Sequence, residues 1–144
     1  MSESHINSRY NETGIRFVND DHRMFYVEQM EKLKNDVYHR ALVYTLGICG
    51  DTRRRFDSIY NAEDRSIDPS AIHAGWQTSG SLKVTRLAFN LFTDGTPSVI
   101  STVSSYGDDG LGECRKYSVS DIFCCEFAPY FVEAVKIRYP EYLR

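Results

Sequence analysis

A chain of 144 residues with 42% hydrophobic and 13% aromatic content can bury one core and is far from a disordered composition. Its net charge of −3 and pI near 5.8 do not supply the basic face that generic nucleic-acid binding draws on, so nucleic acid is a disfavoured partner. No apolar run approaches the roughly 18 residues of a membrane span, and the start MSESHINSRYNETG lacks the basic and apolar regions of a signal peptide, which makes a cytoplasmic protein with no membrane partner the expectation.

In chain order, residues 1 to 15 are polar, broken by Gly14, and read as a flexible N-terminal arm; residues 16 to 144 read as a single helical domain. Asn19, Asp20 and Asp21 offer cap oxygens to a first helix over residues 21 to 34, burying Met24 or Phe25, Val27, Met30 and Leu33. Asp36 starts a second helix that ends near Gly50, with Val37, Ala41, Leu42, Thr45 and Ile48 inward. Asp51 is expected to cap a short third helix carrying Arg53, Arg54, Arg55, Phe56, Ile59 and Tyr60.

Residues 61 to 68 read as a loop. Asp68 followed by Pro69 is a helix start, because proline at the first helical position sacrifices no hydrogen bond; that short helix closes at Gly75. The stretch WQTSGSLKVTRLAFNLF follows. Val84, Leu87, Ala88, Leu91 and Phe92 recur at the spacing of one buried helix face, with Gly95 as a stop. A helix over residues 79 to 93 is therefore expected to be the centre of the fold.

Residues 98 to 106, SVISTVSSY, show β-branched side chains without a helical stripe and read as a short strand or an irregular crossing. GDDGLGE after them is a turn-rich acidic loop. Ser118 or Ser120 caps a helix beginning near Asp121, Pro129 interrupts or restarts it, and Pro140 closes it. The fold class is mostly all-α: one compact multi-helix bundle.

Thr78, Ser79 and Ser81 stand where a helix begins, a place receptive to an anion. Trp76 could stack on a ligand, Gln77 offer an amide, and Lys83 or Arg53 a cation. The competing reading, ordinary helix capping beside a core tryptophan, is favoured, because neither a phosphate-loop pattern nor S-x-x-K is present. Three consecutive arginines cannot all face one partner, so at most one of Arg53 to Arg55 joins such a site.

His22, His39 and His73 show no metal-ligand spacing, and the loop from Tyr106 to Gly112 fits neither a dinucleotide fingerprint nor a calcium loop. Cys49, Cys114, Cys124 and Cys125 form no C-x-x-C pair, so reduced thiols, no metal and no cofactor are expected. No local signature of an activated nucleophile is present, and no catalytic residue is assigned.

The fragments ALVYTLGICGDTRRRFDSIYN, WQTSGSLKVTRLAFNLF and VKIRYPEY together resemble a family of small bacterial proteins of unknown function, from Gram-positive gut bacteria and their mobile genetic elements. The resemblance covers residue 17 to the end, apart from residues 96 to 117. It implies a compact cytosolic accessory protein, phage- or transposon-borne, and brings no catalytic residues. Ten tyrosines and eight phenylalanines suit a half-wet interface, although tyrosines bridging core and solvent within one chain are the commoner use. The leading reading is a non-enzymatic protein-binding regulator or inhibitor of a host system, its partner another protein or a second copy of itself. The alternative is a small-ligand or nucleotide-binding domain at residues 76 to 83, with a hydrolase below both.

Overall fold

The computed structural model describes residues 14–106 and 109–143, with the side chains of 104–106 left aside; most of the expected N-terminal arm, residues 1–13, lies outside them. The first helix, α1 (Asp20–Lys32), starts where Asn19 accepts a hydrogen bond from the His22 backbone N–H at 2.8 Å. Its inward face holds the expected Phe25, Val27, Met30 and Leu33 and is wider than the apolar residues alone suggest. His22, Tyr26 and Val27 are buried, Phe25, Met30 and Leu33 pack half-buried against the core, and Met24 is left at the margin. Histidine and tyrosine carry the inner turn because each finds a polar partner inside. His22 Nδ1 accepts from Val18 N–H at 3.1 Å and Nε2 donates to the Tyr44 carbonyl at 2.8 Å.

α2 (Val37–Leu46) is capped by Asp36, which accepts from His39 N–H at 2.8 Å. It stops a turn short of the expected end near Gly50. Every residue from 41 to 48 is buried. α2 packs most extensively against α5 (Ser79–Thr93), and also against α9 (Ala128–Arg138) and α1. The expected centre, residues 79–93, is therefore one half of a central α2–α5 pair. The reason is geometric: a single apolar stripe marks a helix with one wet face, whereas a helix enclosed on all sides is apolar all round, as ALVYTL is. Each large side chain fully buried there contributes about 1.5–3 kcal/mol.

The crossing of α1 over the end of α2 is close. A Cβ at Gly47 would stand 2.8 Å from both His22 Cδ2 and Phe25 Cδ2, so any larger residue requires those two rings to shift.

α3 (Gly50–Arg54) follows Cys49, which supplies no side-chain cap; Asp51, expected to cap, instead pairs with Arg54 at 2.7 Å. α4 (Phe56–Ile59) leads into a two-residue hairpin in the segment read as a loop. β1 (Tyr60–Asn61) and β2 (Ser66–Ile67) pair antiparallel, Tyr60 opposite Ile67. A 3-10 turn, Pro69–His73, is capped by Asp68 as expected.

α5 ends at Asp94, in the left-handed conformation at φ 61, one residue before the glycine expected to stop it. Arg138 of α9 clamps this end, donating through Nε to the Leu91 carbonyl and through Nη2 to Asp94, both at 2.9 Å.

Residues 98–106 are a helix, α6 (Ser98–Tyr106), and neither a strand nor an irregular crossing. α7 (Leu111–Arg115) and α8 (Val119–Phe123) follow, the latter capped by Ser118, which accepts from Asp121 N–H. α9 restarts with Pro129 in its first turn. The fold is mostly α-helical, with the hairpin its one sheet among the described residues, and no helix there is long and apolar enough to cross a membrane.

Candidate functional site

The segment from Trp76 to Lys83 is built largely from bonds to itself. Thr78 and Ser81 form a reciprocal capping box: Thr78 Oγ1 accepts from Ser81 N–H at 3.1 Å and Ser81 Oγ accepts from Thr78 N–H at 2.7 Å. Ser81 Oγ, buried, also donates to Gln77 Oε1 at 2.5 Å, and Gln77 Nε2 donates to the Ala71 carbonyl at 3.1 Å and to Thr85 Oγ1 at 3.2 Å. Lys83 reaches across to donate to the Asp121 carbonyl.

The seven expected ligand residues do not converge. Thr78, Ser79, Ser81 and Lys83 line a cleft of about 580 Å3 at the start of α5. Trp76 lines a different depression, of about 420 Å3, with Ser58, Asp68, Ser70 and His73. The guanidinium over its ring is that of Arg55, at 5.9 Å, rather than Arg53. Arg53 donates to the Gly47 carbonyl at 2.8 Å, closing the end of α2, and lines neither cleft. Gln77 lines neither, its amide being bonded to Ala71, Ser81 and Thr85.

The feature that departs furthest from ordinary protein architecture is the pair α6 and α7. Among their described side chains, the buried ones are polar, and three of the exposed ones are large and apolar, beside exposed Cys114 and Arg115. Ser98, Thr102 and Glu113 are buried, while Ile100, Val103 and Leu111 are 74%, 40% and 57% exposed. Ile100 and Val103 are three residues apart and share a face. Gly110, in a left-handed conformation at φ 77, brings α7 against it: a Cβ there would lie 2.8 Å from Val99 Cγ1 and 2.9 Å from Val103 Cγ2. Leu111 follows directly.

This inverted unit is anchored by charge. Glu113 receives a two-pronged bond from Arg86 of α5, Nε to Oε2 at 2.7 Å and Nη2 to Oε1 at 2.8 Å. Ser98 Oγ donates to Glu113 Oε2 at 2.6 Å and lies 2.6 Å from the Tyr117 hydroxyl. Burial works to raise the Glu113 carboxyl, and the donors from Arg86 and Ser98 overcome it and hold the group below its usual range. Burial pushes the Tyr117 phenol up, partly offset by its bonds from Ser98. Both groups thus keep fixed protonation near neutral pH, as a structural clasp requires. Thr102 and Ser101 return their hydroxyls to the Ser98 carbonyl, both at 2.9 Å. The hydroxyls on the inner side of α6 are therefore satisfied without water.

A second buried polar chain links α2 to the hairpin. His39 Nδ1 lies 3.0 Å from Asp36 and Nε2 2.7 Å from the Tyr60 hydroxyl. Its members line neither the cleft at the start of α5 nor the Trp76 depression. No group of three or more His, Cys, Asp or Glu among the described residues is arranged to hold a metal ion.

Sequence reasoning missed Ile100, Val103 and Leu111. The signal that could have found them is that residues 96–106 carry no charge yet hold three β-branched apolar side chains. The depletion of charge that marks the core of a protein interface takes that form.

What the fold and this surface define is a small helical domain that clasps a helical pair by a buried ion pair and leaves Ile100, Val103 and Leu111 of that pair exposed. The chain belongs to the family of unknown function DUF6075, whose profile matches residues 12–144. No curated protein and no solved structure matches it.

Proposed function

We propose that this domain is a non-enzymatic protein-binding module that docks a partner protein on the face formed by Ile100, Val103 and Leu111. The observation that carries the reading is the inversion of α6 and α7, with serine, threonine and glutamate inward and isoleucine, valine and leucine outward. Leaving those side chains in water costs stability that a monomer recovers by turning the helix over, so their outward placement is explained by a partner that covers them. The run from 96 to 106 adds no charge to be desolvated.

Three exposed side chains make a patch well short of the about 800 Å2 per partner of a standard interface. The occupant is accordingly a different protein, bound reversibly with this patch as its centre, rather than a second copy held permanently. The scattering of Trp76, Arg53 and the Thr78–Lys83 group over separate surfaces favours this reading over a nucleotide site. The setting is the cytoplasm, and control of a host system by a mobile-element-borne accessory protein is the form of partner binding that the sequence resemblance suggests.

The test uses affinity-tagged full-length chain purified from its source cells. Wild type, an Ile100→Asp/Leu111→Asp variant and a control with aspartate at Val132, an exposed valine on α9, are compared by quantitative mass spectrometry. A protein retained by wild type and the control but lost from the double variant supports the docking face. Equal retention by all three, or no protein specific to wild type, refutes it, and a stable homodimer in sedimentation refutes the proposed occupant.

A further inference from the structure

The apolar face on α6 and α7 carries positive charge at one edge. On α7, Cys114 and Arg115 stand three and four positions beyond Leu111 and share its side of the helix, while Glu113 between them turns to the core. Arg115 and the following Lys116 are both exposed. Among the described residues no hydrogen bond, ion pair or ring contact engages either side chain. Other arginines at the surface are occupied: Arg23 with Asp20, Arg54 with Asp51, Arg40 with Asn35, and Arg55 over the Trp76 ring.

The described carboxylates nearest in sequence are committed elsewhere. Glu113 is taken by Arg86 and Ser98. Asp109 accepts from Leu111 N–H at 3.0 Å, at the opposite end of α7 from Arg115, and Asp121 accepts from the Ser118 hydroxyl at 3.3 Å. Residues 96–106 carry no charge of either sign. The Arg115 guanidinium therefore stands one turn from an exposed leucine with no acceptor in its own chain. Its planar fork suits a carboxylate, which it holds by two parallel charge-assisted bonds.

We infer that the partner protein presents an acidic, apolar segment to this face, its apolar side chains on Ile100, Val103 and Leu111 and a carboxylate on Arg115. The inference rests on the docking face proposed above and adds the chemistry of what that face binds. The chain as a whole has a net charge of −3, so an acidic partner is attracted only where Arg115 and Lys116 meet it. That restricts it to one edge of the face and sets the direction in which the segment lies. A basic segment on the same three apolar side chains would bring like charge against Arg115 and leave the guanidinium without an acceptor.

The test uses the full chain in its source cells with a photoreactive residue at position 100, combined in turn with Arg115→Glu, Arg115→Lys and Lys32→Glu. The last reverses an exposed charge on α1 and so repeats the change in net charge away from the face. Adduct yield is measured by quantitative mass spectrometry, and the crosslinked partner peptide is sequenced. Arg115→Glu is expected to lower the yield roughly tenfold, while Arg115→Lys and Lys32→Glu stay close to the parent. The partner peptide is expected to hold aspartate or glutamate beside apolar residues. Should Arg115→Glu fail to fold by circular dichroism, Arg115→Gln replaces it, with a smaller loss expected. Equal yield from the parent and the charge-reversed protein, an equal loss in Lys32→Glu, or a partner peptide rich in lysine and arginine would overturn the inference and leave the docking face standing. The absence of any adduct from the parent would overturn both.

Discussion

Acidification is expected to weaken this fold through one side chain, His22. The imidazole is fully buried, accepts from Val18 N–H and donates to the Tyr44 carbonyl, and packs edge-on against Phe17 at 5.1 Å between centroids. Burial is the largest influence on it, and the nearby Arg53 charge acts in the same sense, together lowering it from 6.5 to about 4 against the opposing pull of the Tyr44 carbonyl. The folded state thus refuses a proton that the unfolded chain accepts. Stability from this source is fully present above about pH 6.5 and is lost as pH falls, until the folded histidine protonates near pH 4.

A shift of about 2.5 units at 1.36 kcal/mol each gives a total of about 3 kcal/mol, of which about 2 kcal/mol falls between pH 7 and pH 5. Glu113 and Asp36, both held below their usual range, lose their contributions at lower pH, so the upper part of the window reports the histidine. Urea unfolding followed by circular dichroism at a series of pH values is the assay, with His22→Gln as the comparison. The glutamine retains an amide to donate to Tyr44 and does not titrate. Wild type is expected to lose about 2 kcal/mol more than the variant across that interval. Parallel stability curves for the two proteins would refute the reasoning.

Glu113→Gln leaves the Arg86 guanidinium buried without its charge partner, and a cost of about 3–5 kcal/mol is expected in chemical unfolding; hydrogen exchange should rise first in α6 and α7. The double variant Arg86→Met/Glu113→Leu is expected to regain much of that loss, because it leaves no uncompensated charge. Gly47→Ala forces His22 and Phe25 apart and is expected to cost about 1–3 kcal/mol, read as a lowered Tm. Thr78→Ala removes a cap and is expected to cost about 1 kcal/mol, whereas Ile100→Asp on the exposed face is expected to stay within about 0.5 kcal/mol of wild type.

The helical class was legible in the sequence because caps are local chemistry. Asn19, Asp36, Asp68, Thr78 and Ser118 all accept the backbone donors that their position before a helix predicts. Where apolar periodicity was the guide, success depended on whether apolar meant buried. It did for α5, where Val84, Leu87, Ala88 and Leu91 are buried. It found one half of the central pair and passed over the other, since residues 41–46 of α2 are buried all round and show little contrast between faces. It failed for α6, where the inward residues are hydroxyls satisfied by Glu113 and by the helix itself, so that a search for an apolar inner stripe finds none. The clasp between Arg86 and Glu113 spans 27 positions and could not be read from spacing. The expected ligand segment located the small hydroxyls but not which way Trp76 and Arg53 turn, because their orientation is settled by contacts outside the segment: Arg55 over the Trp76 ring and the Gly47 carbonyl on Arg53.

The most direct test of the docking face is site-specific photo-crosslinking in the source cells, with a photoreactive residue placed at Ile100 in one version of the protein and at Val132 in another. The account predicts a discrete adduct with a single different protein from position 100, absent from position 132 and abolished by Leu111→Asp. Adducts from position 132 alone, or an adduct at position 100 with the mass of two copies of this chain, would contradict it.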